Sequence, residues 1–180
     1  MPGEDLTTGF FGKIPAAGDF VSRGLPAAYV RFWDRWIARN LVSLFASEPG
    51  ELYPALRFML GPQACGPITG VVMASADRAG RRFPLTLAAA PPVAVAGMAA
   101  SANRWFAEIE EVGQTARRGE LDADELRARL TTLPFPLVNA GGDPVRGMAF
   151  WTDPSDLFEV DADAPRETLL HLLAGRSEVG

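Results

Sequence analysis

Seven charged side chains in two loop-like stretches are the groups in this sequence best placed to do chemistry. Lys13, Asp19 and Arg23 fall within GFFGKIPAAGDFVSR at residues 9–23. Asp77, Arg78, Arg81 and Arg82 crowd residues 75–84, between two apolar runs. A carboxylate beside a forked guanidinium forms paired, charge-assisted hydrogen bonds. One reading is that Asp19 or Asp77 accepts hydrogen bonds from turn N–H groups while paired with an arginine, so that the charges fix both loops. The other is that the arginines build a partner surface, or an anion site for a phosphorylated group. Lys13 is the only lysine among 17 basic residues, a single compact ammonium inside the first stretch.

The remaining reactive side chains are sparse. His171 and Cys65 each occur once, which excludes an internal disulfide and a multi-cysteine or His/Cys metal site. His171 lies among leucines with no motif around it. Cys65, between Ala64 and Gly66, has no charged neighbour in sequence to lower its pKa and reads as a small buried residue. Asp153, Asp156, Glu159, Asp161 and Asp163 lack the glycine-pivoted spacing of a calcium loop and read as a solvated face. Neither glycine-rich region ends in Gly-Lys-Ser/Thr, so there is no phosphate-binding loop. The residues thus predict no catalytic centre, no metal and no cofactor.

These side chains need elements to hold them. Phe10, Phe11 and Ile14 form a short apolar run bounded by glycine and proline, a strand entering a core. Pro15 cannot donate to a ladder and Gly18 tolerates unusual backbone angles, so a fixed loop follows. Pro26 suits a first helical position. From there to about residue 47, Val30, Trp33, Ile37, Leu41 and Leu44 recur at helical spacing. Tyr29, Phe32 and Trp36 make a second aromatic stripe, either wedged against a sheet or offered to a partner. Strands are expected at 56–60, 68–74, 83–90 and 147–152. The pair flanking the Asp77 loop reads as a hairpin, which implies an antiparallel sheet. Helices are expected at 99–117, at 122–130 behind the Asp122–Glu125 capping pattern, and at 165–174.

The chain's 180 residues and 48% hydrophobic content suit a single domain over residues 1–180. The net charge of −5 argues against nucleic acid. The polar, acidic start is no secretory signal and the apolar run at 85–100 is broken by Pro91-Pro92, so no membrane insertion is expected. The lone cysteine fits a reducing cytoplasm.

At this point the motifs resemble a known family. GFFGKIPAAGDFVSRGLP, a helix containing FWDRWI, LRFMLGPQACG, GVVMASADRAGRRFPLT and the late AFWTDPSD together are similar to the TagF family of type VI secretion-associated proteins. The resemblance covers most of the chain and is strongest at 9–36 and 56–86. Phe150 stands before Trp151 where the family often has two tryptophans. The resemblance implies an α+β fold similar to longin domains, a largely antiparallel sheet of about five strands flanked by helices. It also implies a cytoplasmic, non-enzymatic negative regulator of type VI secretion that acts after translation. Its expected partners are the forkhead-associated scaffold protein of that system and the threonine kinase and phosphatase pathway. The residues expected to carry the motif or touch a partner are Lys13, Asp19, Arg23, Trp33, Trp36, Asp77, Arg78, Arg81 and Trp151. Two alternatives remain: a small enzyme acting on phosphate esters through Asp19, Asp77 and the arginines, or a structural accessory of the secretion machine.

Overall fold

Apolar runs of four to six residues form the five inner strands of one sheet. The structure, a computed structural model, describes residues 6–137, 139–153 and 155–174. Among these, seven strands appear in chain order: β1 (Gly9–Gly12), β2 (Val21–Arg23), β3 (Leu56–Leu60), β4 (Ile68–Met73), β5 (Leu85–Ala89), β6 (Met148–Trp151) and β7 (Phe158–Val160). The helices are α1 (Ala27–Asn40), α2 (Met98–Ser101), α3 (Asn103–Arg117), α4 (Ala123–Thr131) and α5 (Arg166–Ala174). All strand pairs are antiparallel, in the order β2-β1-β5-β4-β3-β6-β7.

Period-two alternation feeds a core on each face of this sheet. Leu56, Phe58 and Leu60 of β3, Val72 of β4 and Phe150 of β6 pack with Trp33, Trp36 and Ile37 of α1 and Leu169 of α5. Met59, Val71, Leu87 and Trp151 point the other way and pack with Trp105, Phe106 and Ile109 of α3 and Leu126 of α4. The result is an α+β fold with a helix layer on both faces of an antiparallel sheet. Each of the central strands β3, β4 and β5 is buried along its whole length. α1 and α3 each bury one apolar stripe, and neither has a side-chain cap at its start. α4 starts with the capping box expected from the sequence: Glu125 N–H donates to Asp122 Oδ1 at 2.8 Å, and Asp122 N–H donates to Glu125 Oε1 at 3.2 Å.

The sheet departs from the sequence expectation in its size. Seven strands stand where about five were expected. The two extra ones, β2 and β7, are the outer strands and have three residues each. Three residues are too few to show alternation, and an edge strand is held by pairing on one side only. β7 lies inside the acidic run that reads as a solvated face, and its Phe158, Glu159 and Val160 are indeed largely exposed.

Two helices also differ. α1 stops at Asn40, not near residue 47, and the chain continues through turns while Leu41, Leu44 and Phe45 stay buried. Val42 N–H reaches back five residues to Ile37 O at 3.1 Å, a wider turn than an α-helix closes. The helix expected at 99–117 is two, α2 and α3, separated at Ala102, whose φ of −104° and ψ of 17° leave the helical region. Cys65, expected to be buried, is exposed and sits in the left-handed region at φ 62°.

Candidate partner-binding site

β1 and β5 run side by side, so the loop leaving β1 and the loop entering β5 emerge at the same end of the sheet. Gly12 is the pivot. Its φ of +140° disfavours any side chain, and an added Cβ would lie 2.2 Å from the Pro84 carbonyl oxygen. Only glycine lets the two backbones approach this closely.

Hydrogen bonds then join the loops. Arg78 N–H donates to Ala17 O at 2.8 Å, and Arg78 Nη2 donates to Ala16 O at 2.6 Å. Arg81 Nη2 donates to Gly18 O at 2.8 Å, and Ser75 Oγ donates to Lys13 O at 2.7 Å. The arginines of the second loop therefore hold the carbonyls of the Pro15-Ala16-Ala17-Gly18 turn, which has no ladder partner of its own.

Asp77 is the anchor. Its Oδ1 accepts from the N–H groups of Ala79 at 3.0 Å and Arg81 at 2.9 Å. Its Oδ2 lies 2.8 Å from Arg81 Nε and 3.3 Å from Lys13 Nζ. Those two contacts act by charge, since neither is aligned as a hydrogen bond. Burial alone would raise the carboxyl pKa. The Arg81 N–H bond, the Lys13 contact and the two cations outweigh it and hold the group below the ordinary carboxylate value.

Arg82 serves a different segment. Its Nη1 meets the carbonyls of Phe45 at 3.2 Å, Ala46 at 3.1 Å and Glu48 at 3.1 Å. These are orphan acceptors left where the chain unwinds after α1. Beside this clamp lies a groove of about 260 Å³, lined in part by Pro15, Phe45, Ser75, Arg82, Phe83 and Arg117. Burial lowers the Arg117 pKa, with Glu51 raising it in part and Arg118 lowering it further.

The rim of the corner is aromatic. Phe20 is 47% exposed, yet it stacks on Phe11 at 5.9 Å and meets Phe83 edge-on at 4.8 Å. Lys13 Nζ lies 4.8 Å above the Phe20 ring. The corner thus offers an exposed ring backed by a buried ammonium, with the polar loops locked behind them.

The nine residues singled out from the sequence do not form one cluster. Lys13, Asp77, Arg78 and Arg81 meet at the corner. Asp19 does not join them: it is exposed, and its Oδ1 accepts from the next residue, Phe20 N–H, at 2.7 Å. Arg23 lies in β2 opposite Phe10, and its Nη1 donates to the Ser22 carbonyl at 2.9 Å. Trp33 is fully buried and donates from Nε1 to Thr86 Oγ1 at 2.8 Å. Trp36 stacks on Trp33 at 5.1 Å and donates to Ala162 O at 3.0 Å. Trp151 is buried edge-on against Phe106 at 5.1 Å on the opposite face of the sheet. All three tryptophans are therefore core residues; of the aromatic stripe of α1, Tyr29 and Trp36 are buried against the sheet while Phe32 is half-buried.

Two participants were not anticipated. Phe20, a single aromatic in a polar loop, carries no periodic signal. Arg57, in the middle of β3, lies in a run whose apolar residues alone read as a plain strand. It is 2% exposed, and its Nε donates to Glu110 Oε1 of α3 at 2.7 Å. The signal was present: a charge flanked by Leu56 and Phe58 in a strand buried on both faces must have a partner.

The chain is similar to known proteins. The family model described as TagF N-terminal domain, type VI secretion system-associated, matches residues 9–133. That span begins at β1, contains both loops of the corner and runs just past α4. The crystal structure of PA0076 from Pseudomonas aeruginosa PAO1 is similar over 97% of this chain and 97% of its own. Its TM-score is 0.72 at 28% sequence identity. No curated protein matches the chain.

Proposed function

This chain belongs to the TagF family of type VI secretion system-associated proteins, and from that premise we propose that it is a non-enzymatic negative regulator of that system. It acts after translation, in the cytoplasm, by binding the forkhead-associated scaffold component. The threonine kinase and phosphatase pathway sets the state of that scaffold, and residues 1–180 act as one domain.

The observation that carries the reading is the family match, which spans the whole of the corner. The corner's chemistry supports it. Asp77 is held ionised by two backbone N–H groups and two cations. A carboxylate held that way is a poor general base, because its pKa is pushed away from the operating pH. Rigid loops with an exposed ring suit recognition instead. No helix among the described residues is long and apolar enough to cross a membrane.

A repressor of assembly must bind the inactive scaffold more tightly than the active one, since equal affinity for both shifts nothing. A tenfold preference is about 1.4 kcal/mol. The test is calorimetry of the purified chain with the purified scaffold, phosphorylated and unphosphorylated, alongside deletion of the gene with a secretion readout. The expected outcome is binding that differs between the two scaffold states, and raised secretion on deletion. No binding in either state together with unchanged secretion refutes the proposal.

A further inference from the structure

α1 buries Tyr29, Trp33, Trp36 and Ile37 against the sheet and turns another face outward. That face carries Arg31, Arg35 and Arg39, all exposed, at successive spacings of four. Residues four apart on a helix are neighbours, and like charges there repel. Among the described residues, none of the three has an ion pair or a side-chain hydrogen bond. The contrast with α3 is direct, where Arg104 pairs with Glu108 at the same spacing, 2.8 Å apart. The acidic residue within one turn of the stripe is Asp34, half-buried and unpaired. Asp163 lines the same groove and pairs with none of the three either. That groove, about 610 Å³, runs along the stripe over Phe32, Trp36 and Gln63.

We propose that this arginine face is a docking surface for an acidic peptide segment of a partner protein. The spacing argues for a peptide. Four helical residues rise about 6 Å, so the three guanidinium stems repeat at that interval over about 12 Å. Alternate side chains of an extended chain repeat at about 6.6 Å. An extended segment with acidic residues at every second position can therefore place one carboxylate against each arginine, in the forked geometry that guanidinium favours. The chain as a whole is acidic, at −5, so long-range attraction of polyanions is weak and contact depends on local charge. A lipid surface fits less well: Trp36 is buried with its N–H committed to Ala162, and Phe32, which lines the groove, is half-buried, so no fully exposed aromatic side chain stands on this face to insert. The proposal does not depend on which protein supplies the segment.

The test uses the full chain and a fluorescein-labelled twelve-residue peptide of alternating glutamate and alanine, read by fluorescence anisotropy. The variants are Arg31→Glu/Arg35→Glu/Arg39→Glu and a control, Arg127→Glu/Arg129→Glu/Arg166→Glu, which changes net charge equally at other exposed positions. The expected result is salt-sensitive binding that weakens at least tenfold in the α1 variant and less than twofold in the control. Arg35→Gln, which leaves the helix with less charge repulsion, weakens binding about threefold without loss of fold. Equal weakening in both triple variants overturns the proposal. So does tighter binding, through the same arginines, of phosphatidylglycerol vesicles or of oligothymidylate.

Discussion

Replacing Glu110 by alanine strands an arginine inside the sheet's α3-facing core. Arg57 is 2% exposed and makes two side-chain hydrogen bonds, from Nε to Glu110 Oε1 and from Nη1 to Asn103 Oδ1, each at 2.7 Å. Its guanidinium also lies 5.5 Å from the Phe106 ring centroid. Removing one partner of a buried ion pair costs about 3–5 kcal/mol, because the remaining charge is left without compensation. Two features move Glu110→Ala to the lower end of that range. Glu110 is 22% exposed, so water reaches the vacated space, and Asn103 with the ring still attends Arg57. A loss of about 3 kcal/mol follows, or a fall in Tm of about 6–12 °C for a chain of this length. Arg57→Met removes the charge and keeps an apolar stem of similar length, while Glu110 turns to solvent, so it costs about 1.5 kcal/mol or less. In the Arg57→Met background the Glu110→Ala change has little left to break. The double-mutant cycle should therefore return a coupling of about 3 kcal/mol, nearly the whole of the Glu110→Ala loss. Urea unfolding followed by tryptophan fluorescence measures all four stabilities. A Glu110→Ala loss below about 1 kcal/mol, or additive single effects, would show that the pair is not what keeps the arginine in the core.

Two further outcomes follow from the corner. Asp77 has a folded pKa below its unfolded value of about 3.9. Its contribution to stability is therefore fully present above the unfolded value and is lost as pH falls through the folded one. Asp77→Asn should lower Tm at pH 7, with the deficit closing below about pH 4, while Asp19→Asn, at an exposed position, should leave Tm unchanged. A deficit of equal size at pH 2.5 would assign the effect to shape and not to charge. Gly12→Ala should destabilise by about 2 kcal/mol or more, since it combines a disfavoured φ with a backbone clash that no side chain can relieve. A thermal melt by circular dichroism within 2–3 °C of wild type, under about 1 kcal/mol at this length, would refute the close-approach argument.

What could be read from the sequence depended on how local its cause was. The Asp122–Glu125 cap is a contact over three residues, and both of its bonds are present. The hairpin around the Asp77 loop follows from two apolar runs and the polar stretch between them, and β4 and β5 pair as expected, with Val71 opposite Leu87. The edge strands had no such signal. β2 exists because β1 offers it a ladder, with Phe11 opposite Ser22, and nothing in Val21-Ser22-Arg23 alone demands a strand. Asp19 and Asp77 look equivalent as letters, each an aspartate in a turn with an arginine four residues on. The structure separates them, because the Asp77 turn folds inward over Lys13 while the Asp19 turn faces water. The early end of α1 was hidden for a similar reason. Leu41, Leu44 and Phe45 keep helical spacing and remain buried, so periodicity continues where the helix does not. The carbonyls released there are taken up by Arg82 from 34–37 residues away in sequence.

This division bears on where a partner can bind. The motifs that make the family resemblance specific, GFFGKIP and ADRAGRRFP, supply the residues that hold the corner together. Gly12 admits the Pro84 backbone, Arg78 and Arg81 hold the carbonyls of the first loop, and Asp77 accepts from its own turn. The FWDRWI tryptophans are buried likewise. A signature built of such residues is a signature of the fold, because their polar side chains already have partners inside the molecule. Recognition falls to side chains that folding leaves with nothing to do. By that criterion α1 offers three arginines that repel one another in the free chain, whereas Phe20 at the corner, though 47% exposed, already packs on Phe11 and Phe83. A surface that is unfavourable alone gains most from a complementary partner, because binding removes the repulsion as well as adding contacts. The arginine face therefore ranks above the motif loops as the place where a change of charge should alter binding without altering the fold.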